Sequence, residues 1–288
     1  SILNTNNTYS NKIVNNYDEA LNLIIEDLDN QSWKCSHEIE TSQYEYEIQN
    51  KTSIPIVSFC DASDNVSKKI IGVIEEMYNL FPNISGALTN ISITNTSTNK
   101  EYIARFQPMF QFVNANEDIT KYNKVNKTQI LLNSYYFLNE DIMNEPISSV
   151  VGSDWYVNDA TWESTIAHEL GHYISFTMFL RQNNLNNITF VTEENEEKIN
   201  NVMNDFDTGK FSLAIINKAL ENYNSKYNLN LNIEDFALTI SKYAGVKDKN
   251  GNLIADETIA EAIHDYYLHK ENMKNSSYEI IQVIKQKL

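Results

Sequence analysis

The sequence predicts an α+β fold: a small mixed sheet and one long helix, followed by a mainly helical C-terminal part. Three observations carry this. Between residues 54 and 181 apolar patterns run in the order strand, helix, strand, strand, strand, helix. After residue 181 the apolar residues recur with helical spacing, separated by polar connectors. A hydrophobic content of 42% over 288 residues is enough to bury a sizeable core. These shifts divide the chain into an N-terminal extension at 1–53 with one helix and a strand, an α+β lobe at 54–181 and a helical lobe at 182–288. A cleft is expected between the two lobes.

Taken in order, residues 1–16 are polar and Asn-rich and read as a tail. Tyr17, Ala20, Leu21, Ile24, Ile25 and Leu28 recur at helical spacing, with Asn15 or Asn16 as cap. Tyr44, Tyr46 and Ile48 alternate with acids, as in a strand. The apolar run 54–59 is a strand whose Pro55 suits an edge or a first residue. Asp64 can cap a helix through Ile70, Ile71, Ile74, Met77, Tyr78 and Phe81, which Pro82 stops. β-type segments follow at 91–93, 102–106 and 129–137, and then a long helix from about 161 to 179 with Asp159 as cap. Further helical faces comprise Ile199, Val202, Met203 and Phe206, then Ile215, Ile216, Ala219, Leu220 and Tyr223. A short helix holds Phe236, Ala237, Ile240 and Tyr243 and ends at Gly245. The stretch 248–252 has turn chemistry. Helices at about 256–270 and through Ile280, Ile281, Val283 and Ile284 close the chain.

Twenty-two Lys and Arg against 39 Asp and Glu give a net charge of −17, and Arg105 and Arg181 are the only guanidinium forks. Nucleic acid is therefore excluded as the main partner. No apolar run approaches the roughly 18 residues that span a bilayer. Cys35 and Cys60 lack CxxC spacing and form either one disulfide or two buried thiols. A first residue other than Met, with an acidic, Asn-laden composition, leads to the expectation of a secreted or cell-surface protein whose leader is removed; the cytoplasm is the alternative. Nothing in the sequence sets the oligomeric state.

The sharpest signal is His168-Glu169-Leu170-Gly171-His172 inside the long helix. Two His at i and i+4 project from one helical face and can grip a single Zn²⁺, with the intervening Glu close enough to take a proton from a metal-bound water. Chance places HExxH in a chain of this composition about 0.007 times, so these two His are read as ligands rather than as surface residues. Trp162, Ile166, Leu170 and Tyr173 give the helix a face to bury. A catalytic zinc needs a third protein ligand. The extended form HExxHxxGxxH fails, because Ser175 and Met178 stand where Gly and His are required. The remaining common solution is a Glu on a second helix. Glu257, Glu261 and Asp265 lie at steps of four on one face, beside the small Ala260 and Ala262 that allow close helix approach. Such a stripe is otherwise a solvated acidic face, which a dication would stabilise.

HELGH followed by a helix with a Glu ligand resembles the zincin metallopeptidases of the Glu-ligand branch, the gluzincins. Ser241-Lys242-Tyr243-Ala244 followed by E-x-x-A-E-A at 257–262 looks like the closing segment of the anthrax lethal factor and Pro-Pro endopeptidase-like group. The resemblance implies a zincin-like two-lobed metallopeptidase that hydrolyses peptide bonds in a protein or peptide substrate with one catalytic Zn²⁺. Two registers are open. In the lethal-factor register Glu257 binds zinc, Glu261 orients a ligand His and Tyr243 faces the oxyanion; this is favoured because Tyr243-Ala244 belongs with it. In a thermolysin-like register Glu261 binds zinc and Asp265 is the supporting acid. The relatives hold the Tyr closer to the ligand than here, where the 248–252 turn intervenes, and His264 and Tyr266 are rival electrophiles. In either register the metal lowers the pKa of its water to about 7, and Glu169 takes the proton and returns it to the departing amine. The strand at 129–137 precedes the metal helix and is expected to be the edge to which a substrate adds.

Weaker signals read plainly. His37 and His269 are isolated surface residues; Tyr135, Tyr136 and Phe137 are packing, with a substrate subsite as the alternative; Trp155-Tyr156 is a cleft wall or a loop anchor. The acids at 193–197 form a solvated helix start, and 248–252 is too short for an EF-hand loop. Besides a zinc endopeptidase, the sequence admits a zincin-like structural or binding module without turnover, and a delivered toxin-type protease that uses 1–53 for docking. Intact Glu169 favours catalysis, since a scaffold needs no base between two His.

Overall fold

Residues 9–13, 18–19, 22–23, 25–26, 30, 39–84, 88–94, 102–108, 110–114, 122–126, 128–185, 188–191 and 196–288 are described by a computed structural model of the chain. Of the helix expected over 17–28, residues 18–19, 22–23 and 25–26 are described and are helical; Cys35 and His37 lie outside the described residues. Within the stretch read as a tail, Tyr9–Ile13 is a strand, β1. The alternation of Tyr44, Tyr46 and Ile48 belongs to a helix, α1 (Ile39–Thr52), and not to a strand. Tyr44 and Ile48 are buried at the i, i+4 spacing of one helical face, while Tyr46 is exposed. Buried Glu45 accepts the Phe59 N–H, and the Tyr44 hydroxyl donates to Asp64.

β2 (Ile56–Ser58) leads into α2 (Asp64–Leu80), whose cap is Ser63 rather than Asp64: the Ser63 hydroxyl accepts the Val66 N–H at 3.2 Å. α2 crosses over to β3 (Leu88–Thr94), parallel to β2, as parallel strands require a long connection. β4 (Ala104–Gln107) follows, then the antiparallel pair β5 (Phe110–Asn114) and β6 (Tyr122–Asn126), and β7 (Thr128–Asn133). The first sheet has the order β2-β3-β7-β4, mixed because β4 alone runs antiparallel. β7 is therefore an inner strand, and the edges are β4 and, as Pro55 suggested, β2. The expected strand 129–137 also stops early: the Asn133 side chain accepts the Tyr135 N–H and turns Ser134–Phe137 into a short helix, α3. β1, β5 and β6 join β8 (Ile188–Val191) in a second four-stranded sheet that the sequence pattern did not suggest.

α4 (Glu145–Ser148) and a loop precede the long helix α5 (Ser164–Gln182). Asp159 does not cap α5. Its backbone takes a left-handed turn (φ 67°), and Thr161 and Ser164 cap the helix reciprocally, each side-chain oxygen accepting the other's N–H. α5 is buried nearly all round, as a core helix is. α6 (Glu196–Asp207) and α7 (Lys210–Tyr227) follow, with Gly209 between them in the left-handed region. The short helix expected to reach Tyr243 ends at Leu238 (α8, Ile233–Leu238), and Tyr243 opens a 3₁₀ turn, Tyr243–Gly245. α9 (Ala255–His269) and α10 (Asn275–Lys287) close the chain. One continuous apolar cluster joins the first sheet, α2, α5, α9 and α10. Among the described residues, no helix is long and apolar enough to cross a membrane.

Candidate metal centre

The site is built where α5 and α9 cross. A Cβ placed on Gly171 would lie 3.0 Å from Ala260 Cα, so the glycine of HELGH is the notch that lets α9 come this near. Ala260 and Ala262 are fully buried at that crossing. The approach brings the acids of α9 to the two imidazoles of α5. His168 Nε2 is 2.8 Å from Glu257 Oε2, and His172 Nε2 is 3.4 Å from Glu257 Oε1. The outer nitrogen of the first His turns to the next acid along: His168 Nδ1 is 2.9 Å from Glu261 Oε2. His168, Glu169 and His172 offer ligand atoms within 4.8 Å of one another, so α5 carries a His/Glu group that could hold a metal ion, with Glu257 of α9 in contact with both imidazoles.

A second group of the same kind, His168, Glu261 and His264, reads differently. Glu261 is fully buried, and its oxygens are taken up by donors. Oε2 accepts from His168 Nδ1 and from His264 Nδ1 at 2.8 Å; Oε1 accepts from the Ser241 hydroxyl at 2.9 Å and the Val157 N–H at 3.2 Å. His264 Nε2 in turn lies 2.6 Å from Ser164 Oγ at the start of α5. This is a saturated hydrogen-bond network that fixes the tautomer and ring plane of His168, the arrangement that supports a metal-binding imidazole from behind. Burial alone would raise Glu261, but the imidazoles of His264 and His168 hold it down to about 2. Burial opposes charge on His168, yet Glu257 and Glu261 raise its pKa well above the ordinary histidine range.

Glu169 is half-buried and faces the cleft, where its Oε2 accepts the Phe106 N–H of β4 at 2.8 Å. Burial raises its pKa against the pull of His172 and His168. Tyr243 stands opposite, its ring stacked on Trp155 and 4.9 Å from the His168 ring. Its segment is tied down at several points. Lys242 and Tyr243 donate backbone N–H groups to the carbonyls of Asp154 and Trp155, Ser241 accepts the Ala244 N–H, and the Thr258 hydroxyl bonds the Ala244 carbonyl. Burial, the nearby charges of Glu257 and Glu169, and a hydrogen bond to Glu257 hold the Tyr243 phenol far above its usual range, so it stays neutral.

The donor set fits a divalent cation. Glu169, Glu257 and Glu261 sit together, and among the described residues no Lys or Arg ion-pairs with any of them; imidazoles are their only cationic partners. Buried charges are otherwise paired or bound to metal. Burial would raise Glu257, but His172 and His168 hold it well below the carboxylate range.

Of the other sequence candidates, Asp265 is turned away from the centre. It accepts from His269 Nδ1 at 2.6 Å and from the Lys274 N–H, stapling the end of α9 to the start of α10. His264 cannot meet a substrate, being fully buried behind Glu261. His269 is not an isolated surface residue: its Nε2 also reaches Asp159 at 2.9 Å. Phe137 and Tyr136 are buried, and the Tyr266 hydroxyl accepts from Lys285. Sequence reasoning missed Ser164, Ser241, the Val157 N–H and the Phe106 N–H. For Ser164 a signal existed, one turn before His168 on the same face of α5; the two backbone donors leave none. No protein-family model matches the chain, and neither a curated protein nor a solved structure matches it.

Proposed function

We propose that the protein is a zinc-dependent endopeptidase in which His168, His172 and Glu257 hold the metal. The observation that carries this reading is the convergence of both His Nε2 atoms on the Glu257 carboxylate, with Glu169 of α5 turned to the cleft beside β4, an edge strand among the described residues. Glu257 is preferred to Glu261 as third ligand because it meets both imidazoles from the cleft side, whereas Glu261 meets only the outer nitrogen of His168 and is saturated. Two His and one Glu form a known donor set for catalytic zinc.

Bound zinc supplies Lewis acidity, lowering the pKa of a water to about 7 and polarising the substrate carbonyl. The remaining steps belong to the chain. Glu169 accepts the proton of the attacking water at its carboxylate and later delivers it to the departing amine nitrogen. The neutral Tyr243 hydroxyl donates a hydrogen bond to the carbonyl oxygen as negative charge grows there. Substrate is held by β4. Ile103 points its carbonyl at the Asn133 N–H, inward, and Phe106 points its N–H at Glu169, outward; strand alternation then puts the N–H and C=O of Ala104 and the C=O of Phe106 on the open edge. An extended peptide adds to that edge by backbone pairing.

The disulfide at Cys60 supports a secreted or cell-surface location, because such bonds persist in oxidising compartments. The test is cleavage of a peptide library by zinc-loaded wild type beside Glu169→Ala. Cleavage is expected from the wild type alone, with a loss of at least about 10²-fold in the variant. Cleavage that survives the substitution removes Glu169 from its role, and a zinc-loaded wild type that cuts nothing removes the peptidase reading.

A further inference from the structure

Two cavities meet at the working point of the cleft. Ala104, Glu169 and Tyr243 line both of them. A peptide paired with the β4 edge and cut beside Glu169 therefore sends a side chain from one side of the scissile bond into the first cavity, and one from the other side into the second. The two differ in chemistry. The first, of about 300 Å³, is walled by Tyr102, Ile103, Tyr136, Pro146 and Tyr156; apart from His168 and Glu169, no charged side chain lines it among the described residues. The second, of about 360 Å³, carries Arg105, Asp256 and Glu257 on its walls.

The walls of the first cavity are held in place. The Tyr136 ring packs edge-on against Tyr135, and the Tyr156 ring packs against both Tyr243 and buried His264. Rings fixed in this way favour another ring, which can meet them stacked or edge-on. A carboxylate entering here finds no Lys or Arg on the walls and stands beside Glu169. An ammonium finds one carboxylate, Glu169, whose oxygen is engaged by Phe106 and whose role is to take the proton of the attacking water.

Resting on the peptidase reading above, we infer that this tyrosine-walled cavity is the subsite for an aromatic side chain adjoining the scissile bond, so that the substrates are peptides with Phe, Tyr or Trp at one of the two residues flanking the cut. The test uses zinc-loaded Glu169→Gln, which keeps the cleft shape without the base, titrated by calorimetry with capped Ala-based hexapeptides carrying a single central Phe, Leu, Lys or Asp. The Phe peptide is expected to bind at least tenfold more tightly than the Asp and Lys peptides and severalfold more tightly than the Leu peptide. Adding Tyr102→Ala, at a half-buried position, or Tyr136→Ala should remove that preference while zinc content is kept. Equal affinities, a preference for Lys or Asp, no binding of any peptide at millimolar concentration, or a Phe preference that survives both Tyr substitutions would each overturn the inference. The two readings fail separately. Wild type that cuts only peptides lacking an aromatic at the cut sinks the subsite alone. Wild type that cuts nothing while Glu169→Gln still prefers Phe sinks the peptidase reading and leaves an aromatic-peptide binding site.

Discussion

His264 is fully buried and is not one of the proposed ligands, yet its ring packs edge-on against His168 and it decides how well that ligand is held. It fills the buried space between Ser164 of α5 and Glu261 of α9, so the carboxylate behind His168 is pinned from three sides by His264, Ser241 and Val157. Removing such a supporting partner typically costs 10- to 100-fold in metal affinity. His264→Ala is expected to weaken zinc binding by about that factor, measured by competition with a chromophoric chelator. An affinity equal to wild type would reduce His264 to core filler. That two acids at a spacing of four would both face the metal helix was legible in the sequence, because the helical repeat dictates it. Which of them meets the imidazoles from the front was not, since it depends on where along α9 the two helices cross.

That crossing belongs to the scale of elements. Gly171 is a poor helix former at mid-helix, and Ala there would ordinarily add up to about 1 kcal/mol of helix stability. Here the added methyl meets the Ala260 backbone, which has no rotamer to give way. Overpacking of this kind costs roughly 1–3 kcal/mol. Gly171→Ala is therefore expected to lower the melting temperature of the metal-free protein, and a rise would contradict the close approach. A second tie between elements is His269, which joins α9 to the loop at Asp159 through its two ring nitrogens. Burial opposes its charge, but Asp159 and Asp265 outweigh it and raise its pKa. A raised histidine pKa stabilises the fold fully below its unfolded value of about 6.5. That contribution is lost as the pH climbs through the raised folded value. Melting curves from pH 5 to 9 should show wild type losing more stability on the alkaline side than His269→Gln; parallel curves would remove the tie. Element reading from sequence succeeded where patterns were long, as in α2, α5 and α7. It failed where three residues had to decide: Tyr44, Tyr46 and Ile48 alternate, but Tyr44 and Ile48 also sit one helical turn apart. It failed again at the edge strand, because β7, buried along its whole length, lies between two neighbours and the half-buried β4 takes the outside.

At the scale of the whole molecule, the sheet, α2, α5, α9 and α10 share one apolar cluster, and the His/Glu group lies where its two most buried helices meet. A sequence states that HELGH is helical and that acids recur at a helical repeat nearly a hundred residues later. It does not state that a glycine and an alanine let those stretches touch, nor that β1, far upstream, completes a second sheet with β5, because these are contacts between distant segments. The proposed zinc site depends on Glu257 as the ligand that α9 gives to the pair on α5. Zinc content per folded chain after purification and dialysis tests this most directly. One equivalent is predicted for wild type and for Glu169→Gln, and far less than one for Glu257→Gln. A full equivalent retained by Glu257→Gln, or none in wild type, would contradict it.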